Sequence, residues 1–455
     1  MKLTLIQPSV GKIANKPYIK SWTMEPLALA TLAGLTPKDF EVELIDERID
    51  ELPEIYETDL VGITIETYTA KRAYSIAKEI RKQGIKVIMG GIHANLMPDE
   101  VIKHCDSMLV GGAEGGIWTQ MLNDFKENKL EKKYDSNSYF KKELEHVTPR
   151  RDLYANKGYL PLGLVESGRG CPFTCEFCAI TSAHKGKYRY KLVDKIIEDI
   201  NNISQKMLYF ADDNFVSKFS RTKELCDAMV PLKKKWFSHG TINMANQPEL
   251  LKKLQKSGCS NLLIGFESLN EDTLKSMGKS WAVVKRGYAE SIKILRDHGI
   301  SIYGTFVFGY DQDKPEDIEK TLEFAIEQKM SMAAFNHLVP YPGTPLYTRF
   351  EKEGRLIDKE WWLKDGYNFG EVSFSPKNFS PEELSKRCYD ARMSFYKFSN
   401  ILKRVEFSAN CKDPLSDPFQ ALSFISANFI SQKGIKQRQN WPIGNIIDQN
   451  GKILN

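Results

Sequence analysis

Long hydrophobic runs are missing from this chain. No apolar stretch approaches the roughly 18 residues that a membrane-crossing helix needs, which excludes a transmembrane segment. The opening residues, MKLTLIQPSV, enter a strand pattern at once and carry no apolar signal-peptide core, so a cytoplasmic protein is expected. Cysteine is scarce, and eight in 455 residues make no disulfide scaffold. Charge of one sign is not in excess either. Lys and Arg number 64 against 59 Asp and Glu, and the net +5 calls for no nucleic-acid partner. The run Lys233, Lys234, Lys235 reads as a solvated face. Absent too is a G-x-G-x-x-G opening a helix after the first strand, which argues against a dinucleotide. What remains is an ordinary globular composition, long enough for two or three domains.

Three of the eight cysteines fall in one short stretch, GRGCPFTCEFCA, residues 168–179. Cys171, Cys175 and Cys178 stand in the spacing C-x3-C-x2-C, followed by the basic and aromatic run Lys187, Tyr188, Arg189, Tyr190. Three thiolates so placed can ligate three corners of a cubane iron–sulfur (4Fe-4S) cluster and leave its fourth iron open to an outside ligand. A tetrahedral zinc site is the alternative; it would want a fourth ligand, for which only His184 is near. The other five, Cys105, Cys226, Cys259, Cys388 and Cys411, are scattered singly, as reduced thiols are.

Residues 1–125 alternate strand and helix signals, the mark of a parallel sheet with helical crossovers. Strands are expected at 3–7, 41–45, 60–65, 86–89 and 107–110. Helices are expected at 26–35 and 71–83. Glycine pairs follow the last two strands, Gly90-Gly91 before His93 and Gly111-Gly112 before Glu114. Glycines there let a ligand approach the carboxyl edge of the sheet, where open α/β folds bind. Residues 126–157 are polar with weak periodicity and read as a solvated linker. From 158 to 350 six further strand–helix units follow in order, too few for an eight-stranded barrel and enough for an open one. Their strands are expected to end at Glu166, at Asp212-Asp213, near Asn243 and Met244, at Glu267-Ser268, at Gly309 and at Val339.

That second stretch resembles the radical S-adenosylmethionine (SAM) enzymes. In that family the cysteine loop follows the first barrel strand and the chemistry sits at strand ends. The resemblance implies a partial (β/α)6 barrel in which Phe173 and Phe177 shield the cluster. It also implies that Asp212 or Asp213 receives the SAM amino group, with strand-end capping as the alternative for each. Glu267 and Ser268 would meet its ribose or carboxylate, Gly309 with the strand GTFVFG its adenine, and Asn243 is a weaker candidate. The first 125 residues resemble the Rossmann-like cobalamin-binding domain fused to such barrels. On that resemblance Glu66, Thr67, Tyr68, Gly90, Gly91, His93, Gly111, Gly112 and Glu114 are candidates for holding cobalamin. The Asp-x-His-x-x-Gly motif is missing, so cobalt without a protein histidine is implied. A scaffold without cofactor is the alternative, in which His93 only bonds the helix starting near Pro98.

The family's chemistry implies reductive SAM cleavage at the cluster to a 5′-deoxyadenosyl radical, hydrogen abstraction from an unactivated carbon, and methyl transfer to it. The substrate is expected to be a small molecule or lipid, and the electron to come from an external flavodoxin or ferredoxin under anaerobic conditions. Oxidation, ring closure or rearrangement on a tetrapyrrole is the second possibility. Methylthio transfer to tRNA or protein would want more cysteines near the N-terminus than Cys105, and a non-enzymatic iron–sulfur protein has no use for six convergent strand ends. Residues 351–455 read as a mainly helical domain. Its aromatics Phe395, Tyr396, Phe398, Phe419, Phe424 and Phe429 suit either a helical core or a substrate cavity wall.

Overall fold

The computed structural model describes residues 1–138, 141–405 and 418–454; Cys411 and the Phe419 side chain lie outside what it describes. Six parallel strands build the first sheet: β1 (Lys2–Gln7), β2 (Glu41–Asp46), β3 (Leu60–Thr64), β4 (Lys86–Gly90), β5 (Ser107–Val110) and β6 (Lys133–Asp135), in spatial order β2-β1-β3-β4-β5-β6. β3 is buried on both faces because helices cover both sides of the sheet. Leu3, Leu5, Leu60, Ile88 and Leu109 pack with Leu29 of α1 (Leu27–Leu35) and with Trp118 and Met121 of α3 (Ile117–Lys126). On the other face Ile6, Val61, Ile63, Val87 and Met89 meet Ala73, Ile76 and Ile80 of α2 (Ala70–Lys82), one stripe at helical spacing. The chain leaves β1 to one side for β2 and returns on the other side for β3. That reversal opens a crevice at their carboxyl ends.

Residues 126–157 are more than a solvated linker. They supply the edge strand β6, and they bury Tyr134, Leu144 and Val147. A three-residue strand with one buried side chain has no periodicity to betray it.

The second sheet runs in strict sequence: β7 (Gly163–Val165), β8 (Met207–Phe210), β9 (Lys235–Gly240), β10 (Cys259–Glu267), β11 (Ser301–Phe308) and β12 (Met332–His337), all parallel. Alternate residues divide its two faces. Leu208, Phe210, Trp236, Leu262, Ile264, Phe306 and Phe335 point to the helix layer and form the largest core. Tyr209, Phe237, His239, Thr305 and Val307 remain partly open on the other face. The outer helices α4 (Val193–Asn201), α5 (Phe219–Met229), α6 (Pro248–Lys256), α7 (Gly287–Asp297) and α8 (Pro315–Glu327) each bury one apolar stripe against that core.

The last hundred residues are mainly helical and share their packing between the two sheets. Leu384, Cys388 and Phe395 of α9 (Pro381–Phe395) join the second core, whereas Trp361, Trp362, Tyr367 and Ile443 join the first. Residues Ile446–Ile447 pair with Lys12–Ile13, which ties the C-terminal region to the N-terminal one. Phe395, Tyr396 and Phe424 are core residues, but Phe398 and Phe429 are exposed.

Candidate active site

The cysteine loop is pinched at its base. Gly168–Arg169 pairs antiparallel with Arg189–Tyr190, so residues 170–188 leave and return at one point. Gly170 has φ +85°, and a Cβ there would stand 2.1 Å from the Lys187 carbonyl oxygen, so only glycine closes this neck. The loop is gripped from two sides. The Gly170 N–H donates to Asp213 Oδ2 at 2.7 Å, and Asn214 Nδ2 lies 3.8 Å from Cys171 Sγ. Opposite, Phe173 stacks on Trp281 with centroids 3.5 Å apart, and the Glu176 N–H donates to the Met277 carbonyl at 3.1 Å. Cys178 then opens the short helix Ala179–His184.

All three cysteines are free; Cys175 is buried and the other two half-buried. Burial pushes the Cys175 thiol up to about 12 and raises Cys171 as well, with Cys178 adding to both. Such thiols stay protonated at neutral pH unless a cation draws off the proton, which an iron–sulfur cluster does. Among the described residues no three His, Cys, Asp or Glu side chains converge on a single ion. The three loop thiols, with Phe173 of the same loop stacked on Trp281, are soft sulfur donors of the kind an iron–sulfur cluster takes.

The strand-end candidates divide by what their side chains already hold. Asp212 is fully buried, and it accepts from the Ser167 N–H at 2.7 Å and the Ser167 hydroxyl at 2.5 Å. It therefore clamps the segment leading into the cysteine loop. Asp213, half-buried, clamps Gly170 with one oxygen. Glu267 sits at φ +63°, where the β10–β11 register shifts, and pairs with Lys279 Nζ at 2.6 Å. The Ser268 hydroxyl caps the Asn270 N–H at 3.0 Å, and Asn243 accepts from the Thr241 hydroxyl at 2.5 Å. In GTFVFG, a Cβ on Gly304 would meet Met330 Sδ at 2.4 Å on the helix side, so that glycine accommodates Met330; Gly309 turns the chain toward Asp313, which accepts its N–H at 2.9 Å.

Burial raises the Asp212 carboxyl to about 7 from 3.8, against the opposing hydrogen bonds from Ser167 and Gly168. Across that window the folded chain retains a proton that the unfolded chain releases, so this group's contribution to stability falls as pH rises. Asp212→Asn carries no such proton. Its Tm relative to wild type is expected to climb as pH goes from 3.8 to about 7. A pH-independent difference would refute the assignment.

Between the two sheets lies a cavity of about 850 Å³. From the first sheet it is lined by Glu66, Tyr68, Gly90, Gly91, Gly111, Gly112 and Glu114, and from the barrel by Glu166, Arg169, His184 and Arg189. Its inner end is an apolar slot bounded by Gly62, Ile88, Leu109, Leu29, Leu32 and Trp118. Thr67 and His93 are not in its wall, nor are Cys171, Cys175, Cys178, Phe177, Asp212, Asp213, Asn243, Glu267, Ser268 or Gly309. On the barrel side the cavity reaches the base of the cysteine loop and not its thiols. His93 is wholly buried, with Nδ1 3.1 Å from the Thr67 hydroxyl and Nε2 3.1 Å from Glu100, which is the helix-bonding role rather than the ligand-lining one. Tyr68 is held in place by Tyr341, Trp361 and Phe369, the last also lining the cavity.

A charge relay joins the two halves across this cavity. Arg169 Nη2 is 2.8 Å from Glu114, Arg169 Nε is 2.7 Å from Glu166, and Lys191 Nζ is 3.2 Å from Glu166. Burial alone would raise the Glu166 carboxyl, yet Arg169 and Lys191 hold it at about 2. Burial, with Arg169 beside it, pushes His184 down to about 4, so the cavity sees a neutral imidazole. Sequence reasoning missed Gly62, Arg169, His184 as a cavity residue, Lys279 and Trp281. A signal existed for Gly62, a glycine inside an otherwise apolar strand, which marks close approach of another group.

Comparison with known proteins accords with this geometry. Residues 165–325 match the radical SAM superfamily. The chain is 30% identical over 419 residues to bacteriochlorophyllide d C-12(1)-methyltransferase of Chlorobaculum tepidum, covering 89% of each chain. It is 28% identical over 404 residues to bacteriochlorophyllide d C-8(2)-methyltransferase of the same organism, covering 84% of this chain and 88% of that one. Its fold matches the radical SAM methyltransferase TsrM of Kitasatospora setae, solved with cobalamin and a 4Fe-4S cluster bound, with a TM-score of 0.65 at 15% identity over 96% of this chain and 99% of that one. The chain belongs to the radical SAM enzymes that carry a cobalamin-binding domain, the group of methyltransferases and cyclases.

Proposed function

We propose that this protein transfers a methyl group to an unactivated carbon of a small apolar molecule, with a chlorin-type tetrapyrrole as the first substrate class to test. The observation that carries the proposal is the shared cavity: the glycine edge of the first sheet and the base of the cysteine loop line one space. A cluster supplies the electron that cleaves SAM, and a corrinoid supplies a transferable methyl group. Cys171, Cys175 and Cys178 would hold the cluster. Asp213, Glu267, Ser268, Asn243 and Gly309 stand at the barrel's strand ends, where SAM would lie. The corrinoid ring would rest on Glu66, Tyr68, Gly90, Gly91, Gly111 and Gly112, with its nucleotide tail in the slot beside Gly62. Arg169, fixed by Glu114 and Glu166, keeps the two halves in register and would meet polar groups at the ring's edge. The aromatic wall of Tyr68 and Phe369 keeps water from the reacting centre. We place the enzyme in the cytoplasm under anaerobic conditions, reduced by a flavodoxin or ferredoxin.

The test is anaerobic incubation of reconstituted enzyme with SAM, reductant and a chlorin, followed by mass spectrometry. A product heavier by one methylene group supports the proposal. A product lighter by two hydrogens, or one carrying a new ring, would assign oxidation or cyclisation instead.

A further inference from the structure

Two helices near the C-terminus present an apolar face that the other described residues leave open. On α10 (Phe398–Val405), Phe398 and Leu402 are 54% and 43% exposed, one turn apart. On α11 (Pro418–Arg438), Leu422, Phe429 and Ile430 are 63%, 43% and 69% exposed. Phe398 and Phe429 stack with centroids 6.1 Å apart, so the two helices contribute to one continuous patch. Buried groups hold the pair rigidly from behind. Ile401, Val405, Ala421 and Phe424 form their own small core. The Arg404 guanidinium donates to the carbonyls of Met330, Ser331 and Phe395 and to Asn428 Oδ1.

The charge carried on these two helices has one sign; Glu406, Asp413 and Asp417, with Lys412, lie in the connection between them, outside the described residues. Neither helix contains an Asp or Glu, whereas Lys403, Lys433 and Lys436 are exposed on them and Lys397 is exposed just before α10. No helix of the described residues is long and apolar enough to cross a membrane. Exposed apolar side chains sharing their helices with exposed lysines and no acid, on helices that cannot span, suit a surface that lies on an anionic bilayer. We infer that α10 and α11 dock this enzyme reversibly on the headgroup region of an anionic phospholipid membrane. Phe398, Leu402, Leu422, Phe429 and Ile430 enter the interface, and the lysines meet lipid phosphates. The inference stands on this surface alone and is independent of the substrate proposed above.

The experiment is co-sedimentation of the full, anaerobically purified chain with vesicles of phosphatidylcholine alone or of equal parts phosphatidylcholine and phosphatidylglycerol. Wild type is expected to pellet with the anionic vesicles, less so at high salt, and to remain in the supernatant with the neutral ones. Leu422→Ser with Ile430→Ser, and separately Lys433→Glu with Lys436→Glu, are each expected to weaken binding about tenfold or more. Both double variants alter only exposed positions and should cleave SAM in solution at the wild-type rate, which separates lost docking from lost folding. Wild type that ignores anionic vesicles, or variants that bind them equally, would overturn the inference. A wild-type dimer in sedimentation equilibrium that Leu422→Ser with Ile430→Ser dissolves would also overturn it, giving the face to a second copy of the chain.

Discussion

Cys175→Ala is expected to yield a folded chain that has lost most of its iron and cleaves SAM at least about 100-fold more slowly, beyond what removing an outer-shell partner of a metal costs. Cys175 is the most buried of the three loop thiols, and its neighbours are fixed independently. The Asp213 and Asn214 contacts hold the Cys171 side, and Phe173 stacked on Trp281 holds the other. The loop therefore keeps its shape when one sulfur is removed, and what disappears is a corner ligand. Cys388→Ala is the matched control. That thiol is also buried, with its own pKa pushed up to about 12 by desolvation, but it packs in α9 against the barrel core. It should keep its iron and its activity. The paired readout is iron content and 5′-deoxyadenosine yield. Wild-type yields from Cys175→Ala would remove the cluster from this loop.

Gly62→Leu is expected to weaken corrinoid binding about 100-fold while sparing the cluster. Gly62 lies in the middle of β3, and the nearest atom to an added Cβ is the tip of the buried Leu5 side chain at 2.9 Å, which must shift slightly. The rest of a leucine side chain would project into the slot bounded by Ile88, Leu109 and α1. An apolar residue there suits the strand, so the sheet should form. Affinity for cobalamin should fall about 100-fold, equivalent to the few kcal/mol that overfilling a packed space costs. Ultraviolet–visible titration measures the affinity and iron analysis the cluster. Unchanged corrinoid affinity would move the nucleotide tail out of this slot.

The sequence displayed some parts of this site and hid others for physical reasons. The three cysteines were legible because cluster ligation imposes a local spacing. The order of the second sheet was legible because strands and helices alternate in register with the chain. Asp212 and Asp213 were ambiguous because a carboxylate at a strand end can face a ligand or a backbone N–H, and neither choice leaves a local pattern. In the structure Asp212 is committed to Ser167. His93 misleads for the same reason: its partners Thr67 and Glu100 sit on other segments. Trp361 and Trp362 fill the core of a domain about three hundred residues earlier, a long-range choice that no local periodicity encodes. The exposed pair Phe398 and Phe429 reads in sequence like any helical core aromatic, and only its orientation in the fold exposes it.

The central claim is that SAM cleavage at the cysteine loop is coupled to corrinoid-borne methyl transfer in the cavity at that loop's base. It is tested most directly by counting the fates of SAM in a single anaerobic reaction with substrate. The expected result is 5′-deoxyadenosine and S-adenosylhomocysteine in equal amounts, both lost in Cys175→Ala, with S-adenosylhomocysteine alone lost in Gly62→Leu. Formation of 5′-deoxyadenosine without S-adenosylhomocysteine in the corrinoid-loaded wild type would contradict it.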